Sequence, residues 1–336
     1  MAEEQPTTLP VARSLKLLSV VAPMFNEEST AESFYERVCA ALEGIPFELV
    51  VVDDGSTDGT SAILDRLSAS DPRVRVVYLS RNFGHQTAIT AGLDHARGDA
   101  VVMIDADLQD PPEVILALLE RWRSGADVVY AVRSSRSGET RFKVTTARWF
   151  YRLMSTLSDV ELGHDAGDFR LMDRRALDAL LAMRERNRYL RGMTVWVGFT
   201  QSAVAYERDA RHAGATKYTL RKMLRFSLDA ISSFSHLPLQ AATVLGFLFS
   251  MIAFLAIPVV VALKVAGSYL PGFSTITVVI LLLGGIQLIA VGIIGEYVGR
   301  IYDEVKRRPL YLVRERRNIA EHEAPDSAER EHAETW

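Results

Sequence analysis

The chain has 336 residues, 49% of them hydrophobic and 24% charged, with a formal net charge of −4. That length suits one large domain with a smaller appendage, and the charge balance excludes the basic footprint of a nucleic-acid binder. The single cysteine, Cys39, excludes an internal disulfide and so a disulfide-stapled scaffold.

The averages hide an asymmetry. Residues 1–235 read as an ordinary soluble protein, residues 241–295 contain one charge, Lys264, and the last forty residues are charge-rich again. Residues 1–16 form a polar tail; the apolar run 15–25 is broken by Lys16, Ser19 and Pro23, so no secretory signal is read there.

Residues 17–22 are a short Val/Leu run ended by Pro23, the pattern of a strand buried on both faces. Ser29 or Thr30 is placed to cap a helix running to about residue 42. Cys39 falls on the apolar stripe of that helix, with Phe34, Val38, Ala41 and Leu42, as a buried structural thiol. Residues 47–52 are a second buried strand, 59–68 a helix, 74–79 a third strand, 86–95 a helix and 100–104 a fourth strand. A helix over 111–122 carries proline in its first turn, and 128–132 form a fifth strand. Regular alternation of this kind predicts a mostly parallel sheet covered on both faces, with ligands at the carboxyl ends of the strands. Polar clusters fall at those ends: Asn26–Glu27, Asp53–Asp54, Asp105–Asp107 and Arg133.

No G-x-G-x-x-G and no G-x-x-x-x-G-K-[ST] follows a strand, so a glycine-rich phosphate cradle is excluded. Asp105 and Asp107, two apart and just beyond a buried strand, offer another route. Two carboxylates leaving a strand can face one cleft and hold Mg²⁺ or Mn²⁺ against diphosphate oxygens, with Gln109 adding a neutral oxygen. An acidic turn with Asp110 capping a helix is the competing reading. In residues 53–60, turn and capping chemistry accounts for Ser56, Thr57, Asp58 and Gly59 but leaves Asp54 as a candidate acceptor for a base N–H or ribose hydroxyl. His85, His95, His164, His212 and His236 lack zinc-ligand spacing and read as surface or structural; His85 stands apart because it follows a strand end.

Three segments carry a family resemblance: Val21-Ala22-Pro23-Met24-Phe25-Asn26-Glu27-Glu28, Val52-Asp53-Asp54-Gly55-Ser56-Thr57-Asp58, and Asp105-Ala106-Asp107-Leu108-Gln109-Asp110-Pro111-Pro112. With Arg81–Gln86, Gly167–Asp173 and Thr216-Lys217-Tyr218 they resemble family 2 glycosyltransferases, in the branch of dolichol-phosphate mannose synthase and bactoprenol glucosyltransferase. The resemblance runs from about residue 17 to 313. It implies a GT-A nucleotide-diphosphosugar transferase domain with inverting chemistry. By position, Pro23, Phe25, Glu27, Asp54, Asp105, Ala106, Asp107 and Arg133 bind the nucleotide-sugar. Asp105, Asp107 and Gln109 hold Mg²⁺ or Mn²⁺. Asp168, Arg133 and Lys217 are the catalytic candidates, and Arg133, Arg136, Arg141, Lys217 and Tyr218 are candidates for the acceptor phosphate. Asp53 is structural at this position, and Asp168 either orients the sugar or acts as a base.

Residues 241–263 and 265–295 are each long enough to span a bilayer. Two transmembrane helices are expected, at about 241–263 and 274–296. Basic residues flank them at Arg221, Lys222 and Arg225 and at Arg300, Lys306, Arg307 and Arg308, which places the catalytic domain and both termini in the cytoplasm. Leu220, Leu224, Leu228, Ile231 and Phe234 recur at helical spacing, as in an interfacial amphipathic helix. The expected organisation is therefore a tail at 1–16, a catalytic domain at 17–215, an interfacial helix region at 216–238, a transmembrane hairpin at 239–299 and a cytoplasmic tail at 300–336. Residues 315–336 are expected to be disordered.

The resemblance implies transfer of glucose from UDP-glucose to undecaprenyl or another polyprenyl phosphate, at the inner or plasma membrane of a bacterium and in a homo-oligomer such as a tetramer. GDP-mannose and a modified arabinose stand as alternative donors. A processive polysaccharide synthase is disfavoured, because no Q-x-x-R-W element is present. A non-catalytic nucleotide-sugar-binding membrane partner is the reading from a different class, and the intact Asp105, Asp107 and Gln109 speak against it.

Overall fold

A computed structural model describes residues 13–133, 166–186, 188–207, 237–266 and 272–320. They fall into two units, divided where the chain crosses from 218 to 219 and back from 307 to 308.

The first unit is an α/β domain. Its first half follows the expected alternation: β1 (Leu18–Met24), α1 (Ala31–Ala41), β2 (Phe47–Asp53), α2 (Thr60–Ser70), β3 (Val74–Leu79), α3 (His85–His95), β4 (Ala100–Met103), α4 (Val114–Arg123) and β5 (Val128–Arg133). Further along come β6 (Ala166–Asp173), α5 (Arg174–Ala182), α6 (Leu190–Trp196), β7 (Gln201–Tyr206) and β8 (Val313–Arg317). The eight strands lie in one sheet in the order β7-β5-β6-β4-β1-β2-β3-β8. Pairs β1–β2, β1–β4, β2–β3 and β5–β7 are parallel, whereas β6 and β8 run antiparallel to their neighbours.

The central strands are apolar because helices cover both faces. Leu18, Val20, Val21 and Ala22 of β1 and Val50 and Val52 of β2 are wholly buried, each large side chain contributing about 1.5–3 kcal/mol. Gly92 of α3 lets that helix approach closely: a Cβ there would lie 2.3 Å from Val21 Cγ1. Cys39 is half-buried against the same core, and burial pushes its thiol up.

Several local expectations shift. Thr30 occupies the N-cap of α1, but its side chain makes no capping bond; its hydroxyl donates to the Glu27 carboxylate instead, at 2.6 Å. Pro111 and Pro112 form a turn ahead of α4 rather than its first residues. The expected cytoplasmic tail at 300–336 is not all tail. The preceding helix continues to Val305, and residues 313–317, partly inside the stretch expected to be disordered, form β8 on the edge of the sheet. Backbone pairing with β3 orders a polar segment whose composition gives no sign of it.

The amino ends of the strands are closed by a buried ion network. Glu48 accepts from Ser19 Oγ (2.6 Å), Arg75 Nη1 (2.8 Å) and Arg97 Nε (3.0 Å), and Arg75 is 1% exposed. His95 lies beside this network. Its Nδ1 is 2.7 Å from the Ala91 carbonyl, which can only accept, and its Nε2 is 3.4 Å from Arg316 Nε, which can only donate. The partners therefore select the neutral ring, and burial lowers its pKa.

The second unit holds two long helices, α7 (Leu237–Val265) and α8 (Phe273–Val305). Among the described residues one segment, Leu282–Val305, is long and apolar enough to cross a membrane, with mean hydropathy 1.6 and none of its apolar window buried; Ala242–Ile252 is a shorter apolar stretch. The second span thus remains an expectation. Phe247, Phe254 and Leu288 are each about three-quarters exposed. The interfacial helix expected over 216–238 lies outside the described residues apart from the start of α7, as do His164, His212 and His236.

His95 sets a sign for acid stability. Its folded pKa is below the unfolded value of about 6.5, so the unfolded chain binds the extra proton and stability falls as pH drops below about 6.5. Thermal melting followed by fluorescence of the buried Trp122 should show this loss between about pH 7 and pH 5, and His95→Gln should lose less over the same interval.

Candidate active site

The carboxyl ends of β1, β2 and β4 and the amino end of α3 surround an open cleft of about 290 Å³. Pro23, Phe25, Glu27, Asp54, Asp105, Ala106 and Asp107 all line it. The structure therefore brings together seven of the residues expected to bind nucleotide-sugar. Asn82, Gly84, His85 and Ala88 line it as well.

Two strand-end loops are sewn into one wall. Asn26, at φ 56°, accepts from Thr57 N through Oδ1 (2.8 Å), and its own N–H donates to Ser56 Oγ (3.0 Å). Glu27 N donates to Thr60 Oγ1 (2.9 Å) and Gly59 N to Glu28 Oε2 (3.0 Å). Asp53 is turned inward and accepts from Ser56 N (2.8 Å) and from Ser61 Oγ, which makes it a loop brace. Asp54 points the other way and accepts from Phe83 N (2.7 Å) and Gly84 N (2.9 Å). Burial raises its pKa while those two N–H groups lower it. Asp54 thus holds the β3–α3 loop at the rim. Gly55, at φ 71°, passes directly beneath that loop: a Cβ would lie 2.6 Å from Arg81 C.

The acidic pair follows β4. Asp105 opens into the cleft but is ringed by protein on its other sides; burial and the neighbouring Asp168, Asp110 and Asp107 push its carboxyl up to about 6, against the opposing effect of His85. Asp107 accepts from Gln109 N (3.1 Å). Leu108 between them sits at φ 58°, a left-handed conformation unusual for a bulky residue and common where backbone strain serves a site. Gln109 is buried, and its Nε2 has no hydrogen-bond partner among the described residues. Asp110 is also buried and accepts from the hydroxyl of Tyr206, which in turn accepts from Arg133 Nε at 3.4 Å. Arg133 is thereby tied to the end of the acidic loop, although it does not line the cleft.

Asp168 enters from β6. Because β6 runs antiparallel to β4, residues just before its pairing with Met103 arrive at the carboxyl end of the sheet. Arg191 of α6 grips both oxygens of Asp168, Nε to Oδ1 at 2.8 Å and Nη2 to Oδ2 at 3.0 Å. Gln86 Nε2 reaches Oδ2 at 3.4 Å, and Gln86 Oε1 accepts from Leu190 N (3.2 Å), which locks α6 to α3. Burial favours the neutral acid, but His85, Arg191 and Arg170 outweigh it and hold Asp168 well below the usual carboxylate range. His85 Nε2 lies 3.5 Å from both Asp105 Oδ1 and Asp168 Oδ2. Burial lowers its pKa, and the two carboxylates more than reverse that.

Gln86, Arg191 and Arg170 act on Asp168 without standing out in the sequence as site residues. Gln86 sits in a segment that carries the resemblance; Arg191 sits in an ordinary basic stretch and is identified only by its contact. Arg136, Arg141, Lys217 and Tyr218 lie outside the described residues. Among the described residues, no group of three or more His, Cys, Asp or Glu is arranged to hold a metal.

An α/β sheet with an acidic pair after its fourth strand is the arrangement of a GT-A glycosyltransferase. Residues 19–181 match the family described as Glycosyl transferase family 2. An uncharacterized glycosyltransferase of Bacillus subtilis (strain 168), YkcC, is 51% identical over 298 residues, covering 88% of this chain and 92% of that protein. The bactoprenol glucosyl transferase of Shigella phage SfII is 44% identical over 300 residues, 88% of this chain and 97% of that protein. A prophage bactoprenol glucosyl transferase homolog of Escherichia coli (strain K12) is 42% identical over 300 residues, 88% of this chain and 98% of that protein. The chain belongs to glycosyl transferase family 2.

Gly55→Ala should cost about 1–3 kcal/mol from backbone strain alone and push the Arg81–Gly84 loop away from Asp54. Differential scanning calorimetry would show the lowered melting temperature.

Proposed function

We propose that the protein transfers glucose from UDP-glucose, with inversion at the anomeric carbon, to the phosphate of undecaprenyl or another polyprenyl phosphate at the cytoplasmic face of a membrane. The observation that carries this reading is the single cleft in which Asp54, Asp105 and Asp107 meet Pro23, Phe25 and Glu27, with Arg191-gripped Asp168 against its edge. The names of the relatives at 42–44% identity support glucose and a bactoprenol acceptor.

Phe25 is 43% exposed at the rim and can stack on a nucleobase. Asp54 and Glu27 supply acceptors for base and ribose. Asp105 and Asp107 fit a hard divalent cation, since two carboxylates suffice when diphosphate oxygens and water complete the coordination of Mg²⁺ or Mn²⁺. Burial and the neighbouring Asp168, Asp110 and Asp107 raise the pKa of Asp105, and a cation held there would offset that repulsion. Gln109 is buried beside the pair, and its Nε2, without a hydrogen-bond partner among the described residues, is a donor suited to a diphosphate oxygen rather than to the cation. A bound divalent ion supplies Lewis-acid stabilisation of the departing diphosphate.

Asp168 is poorly suited to act as a base, because both oxygens are occupied and its charge is strongly stabilised. It is well suited to orient sugar hydroxyls. A phosphate monoester needs no base, being ionised near neutral pH with a second pKa of about 6. It needs positive charge to approach the donor diphosphate. Arg133 is offered for that role, with Arg136, Arg141, Lys217 and Tyr218. The helices α7 and α8 serve as two spans, with the catalytic domain and both termini cytoplasmic, in a homo-oligomer.

Membranes containing the full chain, given undecaprenyl phosphate and labelled UDP-glucose, GDP-mannose or a nucleotide-linked arabinose derivative, test the reading. Label should enter the organic phase from UDP-glucose. Label from GDP-mannose alone would overturn the donor, and label in a water-soluble product would overturn the acceptor. Binding of UDP-glucose without turnover would point to the non-catalytic reading. Asp105→Asn should lower lipid labelling roughly 100-fold or more; wild-type labelling would remove the metal assignment.

A further inference from the structure

We propose that the segment 310–319, which follows the long helix α8 in the chain, is a positioning element of the nucleotide-sugar cleft. It acts through Phe83 on the loop that Asp54 holds. The inference rests on the donor-site reading above and deepens it.

The segment does more than cap a sheet edge. As a cap, β8 pairs antiparallel with β3, from Val76↔Arg317 to Leu79↔Val313, with a register shift between Tyr78 and Leu79. Backbone pairing of that kind would suffice to protect an edge. The contacts continue past the strand toward the cleft. Ser80 N donates to the Leu312 carbonyl at 2.9 Å, one residue before the loop Arg81–Gly84. Leu310, Tyr311, Val313 and Ile319 then close a separate apolar cluster with Phe83, over Val52, Leu79, Ala88 and Ala91. Phe83 is the residue whose N–H binds Asp54 at 2.7 Å, and Ala88 lines the cleft.

The segment is pinned at both ends. Tyr311 is 7% exposed and its hydroxyl donates to Asp94 at 2.8 Å. Asp94 also receives Arg184 Nη1 at 2.9 Å. At the far end Asn318 Nδ2 donates to Ser68 O (2.7 Å) and Val74 O (2.8 Å). A loop carrying two N–H groups for a cleft carboxylate needs support from behind. Phe83 without that packing would leave its backbone free to swing, and Asp54 would lose its partners. Preorganisation of this kind is worth binding affinity because the ordering cost is met before the ligand arrives.

The physical consequence is a dependence of donor affinity on residues that do not touch the donor. Leu310→Ala thins the apolar cluster on which Phe83 packs, and Tyr311→Phe removes only the Asp94 hydrogen bond. In the full-length protein, amide exchange at Phe83 and Gly84 should rise in both, more in Leu310→Ala. KM for UDP-glucose should rise several-fold while kcat at saturation holds. Leu118→Ala in α4, buried away from this cluster, serves as the comparison: it should lower the melting temperature without moving either readout. Unchanged exchange at Phe83 and Gly84 in Leu310→Ala would overturn the proposal, as would a fall in kcat with constant KM. If wild type shows no saturation with UDP-glucose, the donor reading fails, and amide exchange alone then decides the brace.

Discussion

The crowding of carboxylates at one cleft is the constraint on which this structure turns. Asp54, Asp105, Asp107 and Asp168 converge at one end of the sheet, where like charges repel and burial penalises each. The fold resolves each differently. Asp54 is satisfied by two backbone N–H groups, and Asp168 by a bidentate arginine. Asp107 takes one N–H from its own loop. Asp105 has His85 at 3.5 Å among the described residues, and burial with the neighbouring carboxylates outweighs it and raises the pKa. The arrangement leaves an excess of negative charge at one point of the cleft, and the proposed donor diphosphate with its cation answers it.

The opposite end of the sheet shows the contrast. There Glu48 is surrounded by Arg75, Arg97 and Ser19, and charge is neutralised by protein alone. Breaking such a buried pair costs about 3–5 kcal/mol, which gives the strands a fixed base. The carboxyl ends carry the electrostatic tension and the amino ends the rigidity. Asn26 and Leu108, both at positive φ without being glycine, sit in the loops of the tense end.

The second half of the chain supplies what the early strands lack. The antiparallel β6 delivers Asp168, α6 delivers Arg191, and β7 delivers the Tyr206 that links Arg133 to Asp110. The chain then leaves the domain for α7 and α8 and returns as β8 on the edge strand β3. A polar segment that composition assigns to a tail is held there by backbone pairing, which does not depend on side-chain hydrophobicity.

The early strands and helices were legible because strands buried on both faces are written as continuous Val/Leu/Ile runs and because Gly, Pro, Asp and Ser mark their ends. Residues 23, 25, 27, 54, 105, 106 and 107 were legible as a set because the carboxyl ends of parallel strands must share one edge. Thr30 makes no capping bond because its backbone is already in the helical region, at φ −118° and ψ −23°, rather than in the extended geometry of a capping residue. Gln86 and Arg191 acquire their roles only through Asp168, about 82 and 23 residues away in the chain, a pairing no local pattern encodes. By itself, the sequence determined the α/β alternation, the acidic strand ends and the long apolar stretch, since each depends on neighbours within a few residues. Only the tertiary structure decided which carboxylates are held by arginine or backbone N–H groups and that the segment after α8 returns to pair with β3, since those depend on strand order and direction.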